Sequence, residues 1–418
     1  MEKLKPYPKY KPVNLPWLKE IPAHWECKKI RAYFSERRKK VSDQDFAPLS
    51  VTKQGVVPQL ETACKTNDGD NRKLALSGDF VINSRSGRKG SSGISYIDGS
   101  VSLINIVLEP RNIHGPYINY LLRSNDFIEE FYRNGRGLVA DLWTTRYQEM
   151  RNIFIPIPQL DEQKKIVAFL DEKTAKIDKY IETKSKEIEL LKEQKNAEIS
   201  NAVTRGLNPN VKYKAIDLLW LKEIPAHWEP RSLSNLASEY FVSNKNMQEQ
   251  NLLSLSYGRI IRKNINTTEG LLPASYDTYQ IVEKGNIIIR PTDLQNDHRS
   301  LRVGLANERG IITSAYIALK CTKEVIPEYL YLLLHTYDLH KIFYGMGGGM
   351  RQSLKWQEFR KLNFYIPPKE EQKKIVAYLD ERIAKIDKVI SAIQQKIDLI
   401  KEYKSSLISD VVTGKIKV

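Results

Sequence analysis

One charged segment occurs twice in this chain of 418 residues, and that duplication limits the folds open to it. EQKKIVAFLDEKTAKIDKYI begins at Glu162, and EQKKIVAYLDERIAKIDKVI begins at Glu371. Sixteen of the twenty positions are identical, and the copies lie 209 residues apart, half the length of the chain. Solenoid repeats are much shorter, about 20–50 residues. The chain is therefore a tandem duplication of a domain followed by a helix.

Other repeated segments surround each copy in the same order. WLKEIPAHWE, which we call the opening segment, occupies Trp17–Glu26 and, unchanged, Trp220–Glu229. IFIPIP or NFYIPP precedes each long helix, and ISNAVTRG or ISDVVTGK lies near its end. The residues between these segments differ. We expect the identical parts to contact something common to both halves and the divergent parts to contact two different targets.

Both helical copies have the apolar spacing of a coiled coil. Apolar residues recur mostly three and four positions apart, without Gly or Pro, and acidic residues occupy the first turn. A helix from residue 160 to 204 would be roughly 65 Å long. We expect the two helices to pack on each other, the alternative being that each packs only on its own domain. The predicted contact positions are Ile166, Leu170, Ile177, Ile181, Ile188, Leu191, Ile375, Leu379, Ile386, Ile390, Ile393, Ile397 and Ile400.

The two variable regions, residues 27–157 and 230–366, mix predicted strands with predicted helices. GDFVIN, VSLINIVLE, GNIIIR and GIITSAYIALK have the β-branched and apolar content of strands. PYINYLLRSNDFIEEFY and PEYLYLLLHTYDLHKIFY are each predicted to form an amphipathic helix with Pro near its first turn. The sequence thus predicts mixed α and β structure in both halves.

The net charge of +16 favours a polyanionic partner, and nucleic acid is the usual one. Loops rich in Gly, Arg, Lys, Asn and Gln occur in both variable regions. Such side chains supply charges for phosphates, Arg for guanine and Asn or Gln for adenine. The candidate DNA-binding residues are Lys53, Gln54, Arg85, Arg88, Lys89, Arg136, Arg146, Arg259, Arg262, Lys263, Arg290, Arg299, Arg302, Arg351, Gln352 and Lys355.

No catalytic motif is visible in the sequence. It contains no GxxxxGK[ST] phosphate loop, no GxGxxG and no Asn-Pro-Pro-aromatic tetrapeptide of an amino-methyltransferase. The EQK sequence at Glu162 and Glu371 matches half of a metal nuclease motif, but it opens a helix instead of edging a strand. We interpret His24 and His227, in the opening segments, as packing or capping residues. We predict no catalytic residue and no metal ligand in this chain.

The compartment follows from three absences in the sequence. The N-terminus has no apolar secretory region, and no run approaches the ~18 apolar residues of a membrane span. The three cysteines are scattered and form no CxxC pair, which fits a reducing cytoplasm.

The first eleven residues, with four lysines, have no counterpart in the second half. They are expected to be a flexible DNA-contacting arm or a plain tail.

The ordered, duplicated set of motifs resembles the specificity (S) subunit of type I restriction–modification systems. Each divergent region closes with IPxP or IPP, and EQxxI then opens a long helix. LPWLKEIPAHWE and AIDLLWLKEIPAHWE resemble the typical domain openings of that family, and GDFVINSRSGRKGSSGISYIDGSVS resembles its strand-and-loop segment. The resemblance covers essentially the whole chain.

The resemblance implies an α+β fold with two target recognition domains, residues 1–158 and 207–367. A conserved long helix follows each domain, in residues 159–206 and 368–418. The resemblance further implies that the two helices pack as an antiparallel coiled coil with pseudo-two-fold symmetry.

The resemblance also implies a function. Each recognition domain would read one half of a bipartite, asymmetric site in double-stranded DNA. The helices would set the spacing and dock two methyltransferase (M) subunits, which carry S-adenosylmethionine and methylate adenine N6. Two restriction (R) subunits would bring ATP and Mg²⁺, making the complex an ATP-dependent site-specific deoxyribonuclease. The chain itself would be non-catalytic and bind no cofactor.

Two other functions are compatible with the residues. A stand-alone restriction nuclease or methyltransferase with degenerate motifs would need activity from this chain alone. A coiled-coil adaptor that does not contact DNA would leave the +16 charge without a role. DNA affinity that falls steeply with salt would separate the adaptor from a DNA-reading protein.

Overall fold

The computed structural model describes residues 5–61, 68–137, 143–218, 220–266, 273, 275–294, 301–346 and 353–418. The chain divides into two compact units. Unit 1 comprises Met1–Ser185 and Gln394–Val418, and unit 2 comprises Lys186–Ile393. Each unit therefore contains one variable region and parts of both long helices.

Short antiparallel strands form the frame of unit 1. They are β1 (Tyr10–Pro12), β2 (Glu20–Pro22), β3 (Glu26–Lys29), β4 (Phe34–Glu36), β5 (Lys40–Val41), β6 (Leu49–Thr52), β7 (Gly55–Pro58), β8 (Arg72–Ala75), β9 (Phe80–Asn83), β10 (Ser92–Ile94), β11 (Gly99–Ser102), β12 (Asn105–Pro110) and β13 (Phe154–Ile157). One sheet has the order β10-β9-β12-β4, and a second has the order β11-β8-β5. β1 pairs with β2, β6 with β7, and β13 with β3.

Strand β9 lies between two cores because its side chains alternate. Phe80 and Ile82 belong to a large core shared with the helices of unit 1. Val81 belongs to a smaller core with Val101 and Val107. Successive residues of a strand face opposite sides of the sheet, so a fully buried strand must be apolar at every position. The predicted strand GDFVIN is confirmed and forms the centre of the unit.

The helices of unit 1 are α1 (Gly115–Leu121), α2 (Asn125–Arg133), α3 (Tyr147–Met150) and the first part of α4 (Leu160–Arg205). The prediction of one helix over PYINYLLRSNDFIEEFY is wrong, because Ser124 separates α1 from α2. Its hydroxyl accepts a hydrogen bond from the Phe127 N–H at 3.4 Å and caps α2. A serine side chain that satisfies a free N–H favours a helix start at that point.

Unit 2 repeats the frame of unit 1. Its strands are β14 (Tyr213–Ala215), β15 (Glu223–Pro225), β16 (Glu229–Ser232), β17 (Ala237–Tyr240), β18 (Leu253–Ser256), β19 (Arg259–Arg262), β20 (Gln280–Val282), β21 (Ile287–Ile289), β22 (Val303–Leu305), β23 (Gly310–Ile312), β24 (Ile317–Cys321) and β25 (Asn363–Ile366). The sheet order β22-β21-β24-β17 matches β10-β9-β12-β4. The predicted strand GIITSAYIALK is divided into β23 and β24, which lie in different sheets, just as VSLINIVLE is divided into β11 and β12.

The helices of unit 2 are α5 (Leu233–Leu236), α6 (Pro327–Leu339), α7 (Trp356–Phe359) and α8 (Lys369–Val412), which ends in unit 1. The predicted helix over PEYLYLLLHTYDLHKIFY ends early. Lys341 has a φ of 60°, and a short 3-10 turn, Ile342–Gly345, follows it. A residue in the left-handed region ends an α-helix because the next N–H no longer reaches its carbonyl partner.

The N-terminal segment has a counterpart in unit 2. Strand β1 pairs with β2 as β14 pairs with β15, with Tyr10 and Tyr213 at equivalent positions. Lys5 forms a β-bridge with Lys417, and the Tyr10 hydroxyl donates to the Gly414 carbonyl at 3.2 Å. The expectation that the first eleven residues lack a counterpart is therefore wrong for Tyr10 and Lys11, which lie in β1.

The two long helices pack against each other inside each unit, as predicted. In unit 1, Lys404 pairs with Asp178 at 2.6 Å. In unit 2, Arg382 makes two hydrogen bonds to Glu198, at 2.9 and 2.7 Å. Residue numbers rise on one helix as they fall on the other across these pairs, so the packing is antiparallel. The predicted contact positions are buried at Ile166, Leu170, Ile188, Ile375, Leu379, Ile386, Ile393 and Ile397, and half-buried at Ile177, Ile181, Leu191, Ile390 and Ile400.

Each variable region packs on the helix end of the other repeat. The hydroxyl of the buried Tyr117 of α1 is shared between the Pro156 carbonyl, at 3.1 Å, and the Val412 carbonyl at the end of α8, at 3.2 Å. The equivalent Tyr329 of α6 donates to the Val203 carbonyl, near the end of α4, also at 3.2 Å. Val203 and Val412 occupy the same place in the duplicated segments ISNAVTRG and ISDVVTGK. The two repeats thus exchange helix ends.

The glycines that follow the two helices provide a matched test of this packing. Gly414 has φ +81°, and an added Cβ would lie 2.4 Å from Pro22 Cδ; Gly206 has φ +73°, and its Cβ would lie 3.0 Å from Glu371 Oε1. We expect Gly206→Ala to cost about 1–2 kcal/mol through its backbone conformation. Gly414→Ala should cost roughly 1–3 kcal/mol more through the clash. Calorimetric unfolding of both variants checks this; an equal loss would contradict the close packing of Gly414.

Candidate nucleic-acid interface

The opening segment and the start of the long helix meet in each unit at a contact that we call the joint. In unit 1, the His24 ring contacts the Glu162 carboxylate at 2.9 Å, and the Tyr7 hydroxyl donates to that carboxylate at 2.7 Å. In unit 2, the His227 ring contacts Glu371 at 2.7 Å. The two glutamates of the EQK sequences therefore hold protein side chains at helix starts. Their arrangement is that of a structural contact.

The glutamine of each EQK sequence completes the joint. Gln163 accepts from the His114 backbone N–H at 2.9 Å and donates to the Pro158 carbonyl at 2.9 Å. Gln372 accepts from the Ile326 N–H at 2.9 Å and donates to the Pro367 carbonyl at 3.0 Å. Both glutamines are buried, and each ties α1 or α6 to the start of a long helix. Sequence reasoning missed this role, although the identical Glu-Gln pair signalled it.

The basic loops of unit 1 lie on its surface. Lys53 and Gln54 form the exposed turn between β6 and β7. Arg85, Arg88 and Lys89 follow β9, and all three are exposed. Lys89 pairs with Glu129 at 2.6 Å, which neutralises part of that loop.

Arg136 and Arg146, two more of the predicted DNA-binding residues, lie near Arg85 because the backbone of Thr144 pairs with two other segments of the chain. Thr144 forms antiparallel bridges to both Arg85 and Arg136. The Ser86 N–H donates to the Trp143 carbonyl at 2.9 Å. Arg136 lies 3.7 Å from Glu149, whereas neither Arg85 nor the nearby Arg146 has a carboxylate partner among the described residues. The structure thus brings together Arg85, Arg136 and Arg146, which the sequence separates by up to 61 positions.

A polar cleft of about 400 Å³ opens beside this group. Five separate stretches of unit 1 contribute to its wall. Its charged and polar lining residues are Glu36, Arg38, Lys73, Ser84, Arg85, Asn105, Thr144, Arg146, Tyr147 and Gln148, and Leu103, Ile104 and Ile106 form its apolar part. Sequence analysis named Arg85 and Arg146 but missed Arg38, Lys73 and Gln148, because Arg38, between β4 and β5, and Lys73, in β8, reach the cleft from positions far away in the sequence.

The single carboxylate of the cleft has basic neighbours. Glu36 lies 2.5 Å from the Arg38 guanidinium and 3.6 Å from the Lys73 ammonium. Lys73 also donates to the Asn105 carbonyl at 2.7 Å. Burial lowers the pKa of Lys73, and Glu36 opposes that shift. The cleft carries four basic side chains against one acidic one, so it favours anionic groups.

The basic residues of unit 2 are partly engaged in ion pairs. Arg259 lies 3.3 Å from Asp387 of α8, and Arg262 pairs with Glu308. Lys263 and Lys355 are exposed, and half-buried Arg290 lies 4.0 Å from Asp293. Arg299, Arg351 and Gln352 lie outside the described residues.

Arg302 lies in the interior of unit 2, not on a DNA-facing surface as predicted. Its side chain is 0% exposed. The guanidinium donates to the carbonyls of Thr292 at 2.6 Å and Asp293 at 2.9 Å, and it packs over the Tyr344 ring. A buried cation needs such acceptors to offset its lost hydration. The sequence of this basic loop did not indicate that one of its arginines would be buried and would donate its hydrogen bonds inside the protein.

The β18–β19 turn of unit 2 carries an aromatic residue that the sequence analysis did not single out. Tyr257 is 79% exposed and has a φ of 45°. The next residue, Gly258, accepts a hydrogen bond from the Tyr331 hydroxyl at 3.2 Å, which fixes the turn on α6. The equivalent turn of unit 1 carries Lys53 and Gln54. The two units thus present different side chains on the same frame.

The described part of the chain shows neither a metal-binding cluster nor a membrane-spanning helix. There, no three or more His, Cys, Asp or Glu side chains gather in a way that could hold a metal ion. No helix in the same residues combines the length and apolar character needed to cross a membrane.

The chain belongs to the family described as type I restriction modification DNA specificity domain, which matches residues 28–190 and 225–399. The family resemblance predicted from the duplicated motifs is thereby confirmed. Each matched segment contains one variable region and one Glu-Gln pair at the start of a long helix, Glu162–Gln163 or Glu371–Gln372.

Relatives and a solved structure agree with this assignment. A protein of Methanocaldococcus jannaschii provisionally named type I restriction enzyme MjaX specificity subunit is 23% identical and covers 96% of this chain and 95% of its own. The type I restriction enzyme MjaVIII specificity subunit of the same organism is 22% identical over 95% of this chain and 94% of its own. A solved structure, described as the structural basis underlying complex assembly and conformational transition of the type I R-M system, has a TM-score of 0.69. It is 14% identical, covers 95% of this chain and 99% of its own, and shares the fold.

The joint glutamines can be tested directly. Gln163→Ala or Gln372→Ala leaves a buried N–H and a buried carbonyl without partners. Each such group costs about 1–3 kcal/mol, so we expect each variant to lose roughly 2–6 kcal/mol of stability. Urea unfolding, with hydrogen exchange at the His114 and Ile326 amides, measures the effect. Lys164→Ala, an exposed neighbour, is the control; a loss equal to that of the control would show that the glutamines are dispensable.

Proposed function

We propose that this chain is the non-catalytic DNA-recognition subunit of a type I restriction–modification enzyme. Its target recognition domains span residues 1–158 and 207–367, and each reads one half of a bipartite, asymmetric site. The conserved helices, residues 159–206 and 368–418, set the spacing between the half-sites and dock the methyltransferase subunits. Family membership supports the DNA-recognition role.

The observation that carries this proposal is the contrast between duplicated joints and divergent surfaces. His, Glu and Gln make the same contacts in both joints. The β-turn at Lys53–Gln54 corresponds to one at Tyr257–Gly258. Two identical partner subunits require two similar docking surfaces, whereas two different half-sites require two different reading surfaces. One polypeptide with this organisation meets both requirements.

DNA binding is favoured by charge that the fold leaves available. The chain carries 66 Lys and Arg against 50 Asp and Glu. Arg85 and Arg146 have no carboxylate partner among the described residues, and exposed Arg88, Lys263 and Lys355 add further positive charge. Contacts of this kind release counterions from DNA, so binding should weaken steeply as salt rises.

The chemistry of the complex belongs to its partners. In our proposal this chain binds double-stranded DNA, two M subunits and two R subunits, and acts in the cytoplasm. The M subunits carry S-adenosylmethionine, and the R subunits carry ATP and Mg²⁺. The chain contributes position and sequence preference to an ATP-dependent site-specific deoxyribonuclease.

The docking surface proposed for the M subunits lies on the outward faces of the helices. The predicted contact positions are buried or half-buried within the units, so they are used in packing inside each unit. Leu190 and Leu399 occupy equivalent positions and are 64% and 63% exposed. One lies in each unit. Exposed leucines repeated at the same place favour two copies of one protein partner.

Methylation mapping tests the proposed function. The chain is expressed with its neighbouring methyltransferase subunit in a strain that lacks adenine methylation, and the DNA is sequenced by a modification-sensitive long-read method. We expect a two-part motif with a fixed gap, methylated on both strands. A stable complex without methylation would favour the adaptor function, and activity of the chain alone would favour the stand-alone enzyme.

The docking surface has its own test. Leu190→Asp or Leu399→Asp should each reduce the number of bound M subunits from two to one, and the double variant should bind none. Native mass spectrometry measures the stoichiometry. Lys192→Asp and Lys401→Asp form the control pair, because they too are exposed and equivalent. Two bound subunits in the double leucine variant would contradict docking at this surface.

A further inference from the structure

We propose that the polar cleft of unit 1 is where this chain reads the base edges of its first half-site, with Arg85, Arg146 and Gln148 as specificity-determining side chains. The cleft comprises the lining residues given above and has a volume of about 400 Å³. This inference rests on the proposed DNA-reading function. It goes further by assigning the reading to one place and three residues.

The charge of the cleft points to DNA as its occupant. Glu36 lies beside Arg38 and Lys73, at 2.5 and 3.6 Å, so these three groups largely satisfy one another. Arg85 and Arg146 retain free guanidinium groups on the cleft wall, counted over the described residues. An arginine without a carboxylate partner can donate two parallel hydrogen bonds to a phosphate or to the O6 and N7 atoms of guanine.

The polar groups deeper in the wall favour base edges over phosphates alone. Asn105 is 4% exposed, lines the cleft, and has an Oδ1 that accepts no hydrogen bond from the described residues. Its Nδ2 donates to the Ser102 carbonyl at 3.1 Å, which leaves the oxygen as the available acceptor. Phosphate offers no hydrogen to such an acceptor, whereas adenine N6 and cytosine N4 do. Gln148 is exposed, and its Oε1 accepts from the Arg151 guanidinium at 3.3 Å, so its amide N–H groups are the part directed to a base acceptor.

The apolar part of the cleft wall also favours bases over phosphates. Leu103 and Ile104 lie in the turn between β11 and β12, beside the basic groups. Solvated phosphates gain nothing from such neighbours. The methyl group of thymine and the faces of bases, in contrast, gain apolar contacts from these side chains. Arginine, amide and aliphatic side chains in one cleft therefore fit a mixed base-pair edge better than a phosphate-only patch.

The test compares two affinities of the complete complex with its methyltransferase subunits. One duplex carries the mapped bipartite site, and the other carries the same site with only the first half scrambled. For the wild type the ratio of the two affinities measures reading of the first half. In Arg85→Ala/Arg146→Ala and in Gln148→Ala we expect this ratio to fall by about tenfold or more. Discrimination against a scrambled second half should remain unchanged.

The control is Arg31→Ala/Arg111→Ala, which removes the same charge from exposed positions outside the cleft. Arg111 follows β12 at the end opposite to Asn105. An unchanged ratio in the cleft variants would overturn the proposal, as would an equal loss of affinity for both duplexes, which is the mark of a phosphate contact. A variant whose melting temperature equals that of the wild type is not misfolded. Gln148→Glu supplies a second variant of that residue with a minimal change of shape. A wild-type complex that ignores both scrambled halves would instead refute the proposed function.

Discussion

A hydrogen bond from a buried tyrosine attaches the end of a long helix to the core of each unit. The last carbonyls of an α-helix have no partner within the helix. Tyr117 and Tyr329 donate to such carbonyls at Val412 and Val203. Burial raises the pKa of both tyrosines well above the usual value, so they remain neutral donors. Each bond satisfies a carbonyl that its own helix leaves free, although the Tyr117 hydroxyl also lies 3.1 Å from the Pro156 carbonyl as a second acceptor.

This attachment explains why sequence identity is confined to particular segments. The helix starts need their Glu and Gln for the joints, and the helix ends need a close approach to the buried Trp25 and Trp228. The loops between them carry no such constraint and have diverged to Lys53–Gln54 in one unit and Tyr257–Gly258 in the other. A frame held by duplicated contacts can therefore present two unrelated reading surfaces. In our proposal, the polar cleft of unit 1 is one such surface.

Much of the fold was predictable because its signals are local or repeated. The long helices followed from apolar spacing, and β9 and β21 followed from continuous apolar runs. Boundaries were less predictable where one side chain changes the outcome, as Ser124 does between α1 and α2. The site was predictable only by region. Arg85 and Arg146 were named, but Lys73 reaches the cleft from β8, and Arg38 reaches it from the segment that joins β4 to β5. Arg302 instead donates its hydrogen bonds to backbone carbonyls inside unit 2, and no sequence pattern marks such a partner.

The sequence by itself determined that the chain is a duplicated, basic, mixed α and β protein with two helices, because periodicity and charge are properties of residue order. It also determined the family, through the order of its motifs. Only the tertiary structure decided that each unit takes the helix end of the other repeat. The physical reason is that helix ends and buried polar groups choose partners by position in space, and those positions exist only after distant strands and helices have packed.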